Sequence, residues 1–215
     1  MYCINATQKL TNTVFEMRRI LVYGGGFNPP HLGHEHMLKI AIEAVEPDLT
    51  LVVPSAIAPH KKAAAVSLTQ RAEMCRTFKS CGKNIKISEI EQAGRHDKSY
   101  TVKTLRRLSK IYKNSEFFFL IGSDMLMSFE SWHRYRRILP LATLLAASRE
   151  SDDKSALLRE KTRLEKMGGQ VLILGMEPMP MSSTEIRAKL KNHENTDAFL
   201  SKFTQNVIKK HKIYI

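Results

Sequence analysis

Ile20-Leu21-Val22-Tyr23-Gly24-Gly25-Gly26-Phe27-Asn28-Pro29-Pro30-His31-Leu32-Gly33-His34-Glu35-His36 decides how the rest of the chain is read. Residues 20–23 are a short apolar run of strand formers, and three glycines stop it. Leu32, Met37, Leu38, Ala41, Ile42 and Val45 then recur at three- and four-residue spacing, the period of an amphipathic helix. The stretch predicts strand, glycine turn, helix. Glycines at such a turn let the backbone approach a ligand closely, and the helix start offers N–H groups and positive dipole charge to an anion. Gly33 in the first helical turn costs about 1 kcal/mol against alanine, which predicts a bulky group passing close to the backbone there. His31 and His34 stand three apart, so both rings lie on one face at the helix's positive end. A histidine cation is disfavoured there unless an anion shares the site. Zinc drawn from His31, His34, His36 or His60 finds no cysteine or carboxylate at ligand spacing. Phosphate binding accounts for turn, glycine and paired histidines together.

Outward from that turn, strands are predicted at 49–53, 85–88, 116–121, 142–147 and 170–174, most of them continuous apolar runs. Helices are predicted at 68–80, 101–112, 152–167, 184–191 and 197–210, with short helical pieces over 125–137. Strands that alternate with helices and lack strict polar alternation imply an α/β fold. The expected form is a doubly wound, Rossmann-like parallel sheet with helices on both faces and a small C-terminal helical segment. Ligands bind such sheets beyond the carboxyl ends of the strands, where the winding reverses. Gly24–Gly26 and Gly122 both end strands, so neighbouring first and fourth strands would bring both turns to one crevice.

The 215 residues suit one domain with one sizeable core, and no repeat or linker argues for a second. Residues 1–16 read as a non-catalytic extension ahead of Met17-Arg18-Arg19, leaving 17–215 as the domain. Cys3, Cys75 and Cys81 cannot all pair and match no metal spacing, so a reducing cytoplasm is expected. The longest apolar run, 138–147, contains Pro140 and falls short of the ~20 residues a membrane span needs. No signal peptide pattern opens the chain, and no membrane partner is expected. A net charge of +13 would gather polyphosphates or nucleic acid. No basic tract interleaved with aromatics tracks a strand, however, so no nucleic-acid partner is expected.

Other segments could share the crevice. Ser182 with Glu185 fits a capping box, but Arg187 is a cation near the positive end of the same helix. An anion between the helix amides, Ser183 and Arg187 would remove that conflict. Lys61 lies in a loop where its ammonium could reach a triphosphate. Asp124 could cap a helix or hold ribose hydroxyls, and Trp132, the only tryptophan, could pack in the core. Ser99-Tyr100-Thr101 opens a helix whose amides could receive a small carboxylate.

The motif Gly25-Gly26-Phe27-Asn28-Pro29-Pro30-His31-Leu32-Gly33-His34 resembles the nucleotidyltransferase superfamily related to class I aminoacyl-tRNA synthetases. From about Arg18 onward the chain resembles the bacterial nicotinate-mononucleotide adenylyltransferases. The likeness adds Pro59-His60-Lys61, Ser99-Tyr100-Thr101, Ile121-Gly122-Ser123-Asp124, Trp132 with Tyr135, Ser182-Ser183-Thr184 with Arg187, and Ile213-Tyr214. By that resemblance, ATP lies over Gly24, Gly25, Gly26 and Phe27 and near Gly122, Ser182 and Ser183. His31, His34, Lys61 and Arg187 then take its phosphates and Asp124 its ribose. Trp132 stacks on the pyridine of nicotinate mononucleotide, Tyr100 and Thr101 hold its carboxylate, and Lys61 also reaches this substrate. The implied reaction gives deamido-NAD and pyrophosphate. Magnesium comes with ATP, and no protein metal site is implied. Nicotinamide mononucleotide or phosphopantetheine are alternative acceptors. Gly26 replaces a usual hydroxyl residue, Ser55 and Ala56 replace asparagines, and Arg149-Glu150-Ser151 departs from Arg-Pro-Gly.

Overall fold

A computed structural model describes residues 17–56, 66–91, 99–148, 154–177, 179 and 181–214. Residues 1–16, His60, Lys61 and the departure at 149–151 lie outside the described residues. The described strands are β1 (Arg18–Gly25), β2 (Leu49–Pro54), β3 (Ile85–Ile87), β4 (Ser115–Gly122), β5 (Thr143–Ser148) and β6 (Val171–Gly175). They form one sheet in the order β3-β2-β1-β4-β5-β6, with every pairing parallel. The α/β, Rossmann-like reading holds. Winding reverses between β1 and β4, whose register puts Tyr23 beside Leu120. The glycine turn after β1 and Gly122 at the end of β4 therefore open on the same edge of the sheet.

Parallel strands bury both faces, and successive side chains alternate between them. Ile20, Val22, Leu49, Leu51, Phe117, Phe119 and Ile121 point to one face. That face is covered by α3 (Thr101–Ile111) through Val102, Leu105 and Leu108, and by α5 (Lys154–Lys166) through Leu157 and Leu164. Leu21, Tyr23, Val52, Phe118 and Leu120 point to the other, against Met37, Leu38, Ala41 and Val45 of α1 (Leu32–Val45). A third cluster joins Met74 of α2 (Leu68–Met74) to Ile186 of α6 (Ser183–Lys191) and to Val207 and Ile208 of α7 (Lys202–His211). Lys210 and His211 also pair with Glu73, at 2.9 and 2.7 Å. The C-terminal helices are thereby seated beside the glycine turn.

Two element boundaries differ from the sequence reading for local reasons. The helix expected over 68–80 stays α-helical only to Met74, and Cys75–Cys81 is a 3₁₀ stretch. There the Ser80 hydroxyl donates to the Thr77 carbonyl and so competes for a backbone acceptor of the helix, while the Thr77 hydroxyl bonds buried Glu35. The helix expected from 197 begins at Lys202, because Ser201 caps it by accepting from the Thr204 N–H. Strand ends otherwise shift by one or two residues: β3 is Ile85–Ile87, and β1 runs past Tyr23 through Gly24 and Gly25, which pair with Val53 and Pro54 of β2. No described helix is long and apolar enough to cross a membrane.

Candidate active site

The glycine turn is built by what surrounds each glycine. A Cβ on Gly25 would stand 2.9 Å from the Phe27 ring, so that position has no room for a side chain. Phe27 takes a φ of +42°, in the left-handed region, and its ring is buried. It packs edge-on against Tyr23, Phe78 and His34, with centroids 5.1, 5.2 and 5.4 Å away. The turn is thus anchored by one phenyl ring in the core. A Cβ on Gly26 would meet nothing within 4 Å.

His31 is the extended N-cap of α1, and its ring stacks on that of His34 with centroids 3.7 Å apart. The His31 N–H donates to His34 Nδ1 at 3.2 Å. With Nδ1 accepting, the neutral His34 imidazole carries its proton on Nε2. His34 is the third residue of α1, so this N–H donor stands at the helix's positive end, and the residue lines a cavity. His31 is buried, 5% exposed, and does not itself line that cavity, reaching it only through its contact with His34. The bulky group expected near Gly33 belongs to the chain itself. An added Cβ would lie 3.2 Å from His31 Nδ1 and 3.3 Å from Met181 Cγ.

The cavity, about 350 Å³, lies where β1 and β4 diverge. Gly24, Gly25, Gly26 and Phe27 form one side, Gly122 and Asp124 the other, and Ser99, Thr101 and Trp132 close it. Asp124 is the second residue of α4 (Ser123–Met127), whose N-cap is Gly122, so helix capping does not account for it. Trp132 is half-buried and packs on Phe119 and Phe129 while also lining the cavity, so it joins the core and the site. Tyr100 caps α3 in position only, with no side-chain cap bond, and its ring stacks on His133 at 4.2 Å.

The second candidate phosphate segment sits elsewhere. Ser182 is engaged in the expected capping box, accepting from the Glu185 N–H at 3.2 Å. The Ser183 hydroxyl donates to the Pro29 carbonyl at 3.0 Å. Arg187 donates from Nη1 to the Asn28 carbonyl at 2.8 Å and from Nη2 to Thr184 Oγ1 at 3.2 Å. The conflict between Arg187 and its helix is therefore eased by the Asn28 carbonyl of the turn and the Thr184 hydroxyl. The Tyr214 hydroxyl donates to Asn28 Oδ1. Burial raises its pKa, so it remains a donor across the ordinary pH range.

A cytidylyltransferase-like family model matches residues 22–189. A Fusobacterium nucleatum protein named "probable nicotinate-nucleotide adenylyltransferase" is 33% identical over 196 residues, covering 91% of this chain and 99% of its own. This chain belongs to the nicotinate-nucleotide adenylyltransferase family. A Clostridium acetobutylicum relative of the same name is 32% identical over 203 residues, covering 93% of this chain and all of its own. A Plasmodium falciparum nicotinic acid mononucleotide adenylyltransferase, solved complexed with APC, superposes with a TM-score of 0.74 over 92% of this chain and 97% of its own. At 17% identity that likeness shows the fold. The adenylyltransferase family places this chain among the nucleotidyltransferase enzymes.

Within this adenylyltransferase, three site features escaped the sequence reading. Glu91 lines the cavity, accepting from the Ala56 N–H at 3.1 Å and from Thr104 Oγ1 at 2.6 Å. Nothing in the polar loop around it marks the position. His133 follows Trp132 but gains its place only through Tyr100. Arg71 is buried, and its signal was legible: with Leu68, Ala72 and Cys75 it falls on the apolar stripe of α2.

Proposed function

We propose that this chain transfers the adenylyl group of ATP to nicotinate mononucleotide, giving deamido-NAD and pyrophosphate. What carries the reading is one cavity shared by Gly24–Phe27, His34, Asp124, Thr101 and Trp132, which come from five separate segments. The nucleophile is the substrate's own phosphate, largely ionised at pH 7 because its second pKa is about 6. No protein nucleophile or general base is needed. Catalysis consists of aligning that phosphate in line with the α-phosphorus and neutralising charge on the leaving pyrophosphate.

His34 Nε2–H donates to the phosphates, with His31 packed against it, and Lys61 adds its charge there. Arg187 retains guanidinium donors beyond those spent on Asn28 and Thr184. Ser182 and Ser183 border this end. Gly122 and Asp124 take the ribose of ATP. Trp132 stacks on pyridine, and the carboxylate of nicotinate meets Tyr100, Thr101 and the N-terminus of the 11-residue α3. That positive helix end favours nicotinate over nicotinamide. Magnesium enters on the ATP oxygens, held largely by substrate and water. Among the described residues no three His, Cys, Asp or Glu side chains gather to hold an ion. Residues 17–215 act as one catalytic domain with 1–16 outside it, and the unpaired thiols Cys75 and Cys81 suit a reducing compartment.

The test is to incubate the protein with ATP, magnesium and each candidate mononucleotide, then assay pyrophosphate. Nicotinate mononucleotide should give the fastest release. Faster turnover of nicotinamide mononucleotide or phosphopantetheine would reassign the acceptor, and no release with any of them would overturn the reading.

A further inference from the structure

Arg71 is 3% exposed, on a helix face that also buries Ala72 and Met74. Its guanidinium donates to three backbone carbonyls from separate parts of the chain: Gly26 at 2.7 Å, Ala56 at 3.3 Å and Val66 at 3.4 Å. An apolar side chain would fill such a place without the desolvation cost of a buried cation. The charge must therefore earn its position through what it holds.

The shortest of its bonds holds the peptide between Gly26 and Phe27. This peptide is trans, and in a planar trans peptide the C=O and N–H point opposite ways. A Gly26 oxygen drawn to Arg71 therefore turns the Phe27 N–H to the other side. Phe27 lines the cavity, whereas Arg71 lies outside its wall. Rotating this peptide would change Gly26 ψ and Phe27 φ together. Phe27 is in the left-handed region at +42°, which is unfavourable for a non-glycine residue, and Gly26 carries no side chain and has open space where one would stand. The Arg71 bond opposes that rotation.

We propose that Arg71 is a positioning residue for adenylyl transfer: it holds the Gly26–Phe27 peptide so that the Phe27 N–H faces the triphosphate. This rests on the function proposed above. Arg71 touches neither substrate. By fixing one N–H in advance, it spares the enzyme from ordering the turn during each turnover.

The full chain is tested as Arg71→Lys and Arg71→Met. Lysine keeps a cation but cannot span three carbonyls, and methionine keeps apolar bulk without any donor. Pyrophosphate release gives the kinetics for ATP. A non-hydrolysable ATP analogue is titrated directly, and nicotinate mononucleotide is titrated by the fluorescence of Trp132, the sole tryptophan. Arg71→Lys should lower kcat/KM for ATP on the order of 10²-fold and weaken the analogue, with binding of nicotinate mononucleotide unchanged. Arg71→Met should lose at least as much. Wild-type ATP kinetics in Arg71→Lys would overturn the assignment. So would equal weakening of both nucleotides, or failure of both variants to fold, since each describes a purely structural arginine. With wild type active and His34→Ala impaired, normal Arg71→Lys kinetics would remove only this assignment; wild type releasing no pyrophosphate would remove the function itself.

Discussion

Replacing His34 with alanine removes, besides its ring contacts with His31 and Phe27, two hydrogen-bonding roles, and these can be separated. Its Nδ1 accepts the His31 N–H at the start of α1, a capping role whose loss costs about 0.5–2 kcal/mol of stability. Its Nε2–H is the donor we propose for the phosphates, and losing one such donor costs on the order of 10²–10³ in kcat, or about 2.7–4 kcal/mol of barrier. Asparagine places an amide oxygen near the Nδ1 position, so His34→Asn retains the cap but lacks the outer donor. Glutamine reaches further and places an amide N–H near Nε2, so His34→Gln supplies the donor at the cap's expense. Melting temperature and pyrophosphate release at saturating substrates are measured for all three. His34→Ala should lose both stability and turnover, His34→Asn turnover alone, and His34→Gln should recover part of kcat while melting early. Near-normal turnover in His34→Ala or His34→Asn would refute the phosphate role and leave His34 a helix cap.

Other expectations follow from the same geometry. Trp132→Ala should raise KM for nicotinate mononucleotide and leave ATP binding nearly intact; an equal loss for both would mean that the packing against Phe119 and Phe129 had collapsed. Gly33→Ala gains helix propensity of about 1 kcal/mol but crowds His31 and Met181, so kcat should fall while the melting temperature changes little; unchanged kcat would show that the histidine pair tolerates displacement. Burial raises the Glu35 carboxyl above its ordinary 4.5, partly opposed by the Thr77 hydroxyl and by Lys39. The unfolded chain then releases this proton more readily, so Glu35's contribution is full below about 4.5 and is lost as pH rises through the raised value. Glu35→Gln should flatten that part of the stability–pH curve, as read by thermal unfolding; an identical slope in both proteins would place the titration elsewhere.

Much of the fold was legible because its signals are local. The apolar runs around Ile20, Leu51, Phe119 and Leu145 belong to strands buried on both faces, and helices between them leave a parallel sheet as the expected arrangement. The glycine turn, the His31–His34 spacing and the Ser182–Glu185 box are likewise contained within a few residues. Less visible was where side chains would spend their hydrogen bonds. Arg187 and Ser183 read as anion ligands in isolation, and the structure adds bonds to Asn28 and Pro29, more than 150 positions away, that no local pattern announces. The Cys75–Cys81 stretch reads as helix, but there the Ser80 hydroxyl takes the Thr77 carbonyl.

The sequence by itself thus determined the strand–turn–helix unit, the alternation that stacks such units into a sheet, and a helix whose positive end carries His31 and His34. Its physical means were backbone preference and hydrophobic period, which act over short distances. Only the tertiary structure decided that β1 and β4 lie side by side, bringing Asp124 and Trp132 to the glycine turn, and that Arg71, Arg187 and Tyr214 hold that turn. Those partners are chosen by burial: carbonyls and hydroxyls shut away from water must be satisfied by whatever the closing of the core brings within reach, and no local pattern encodes which groups those will be.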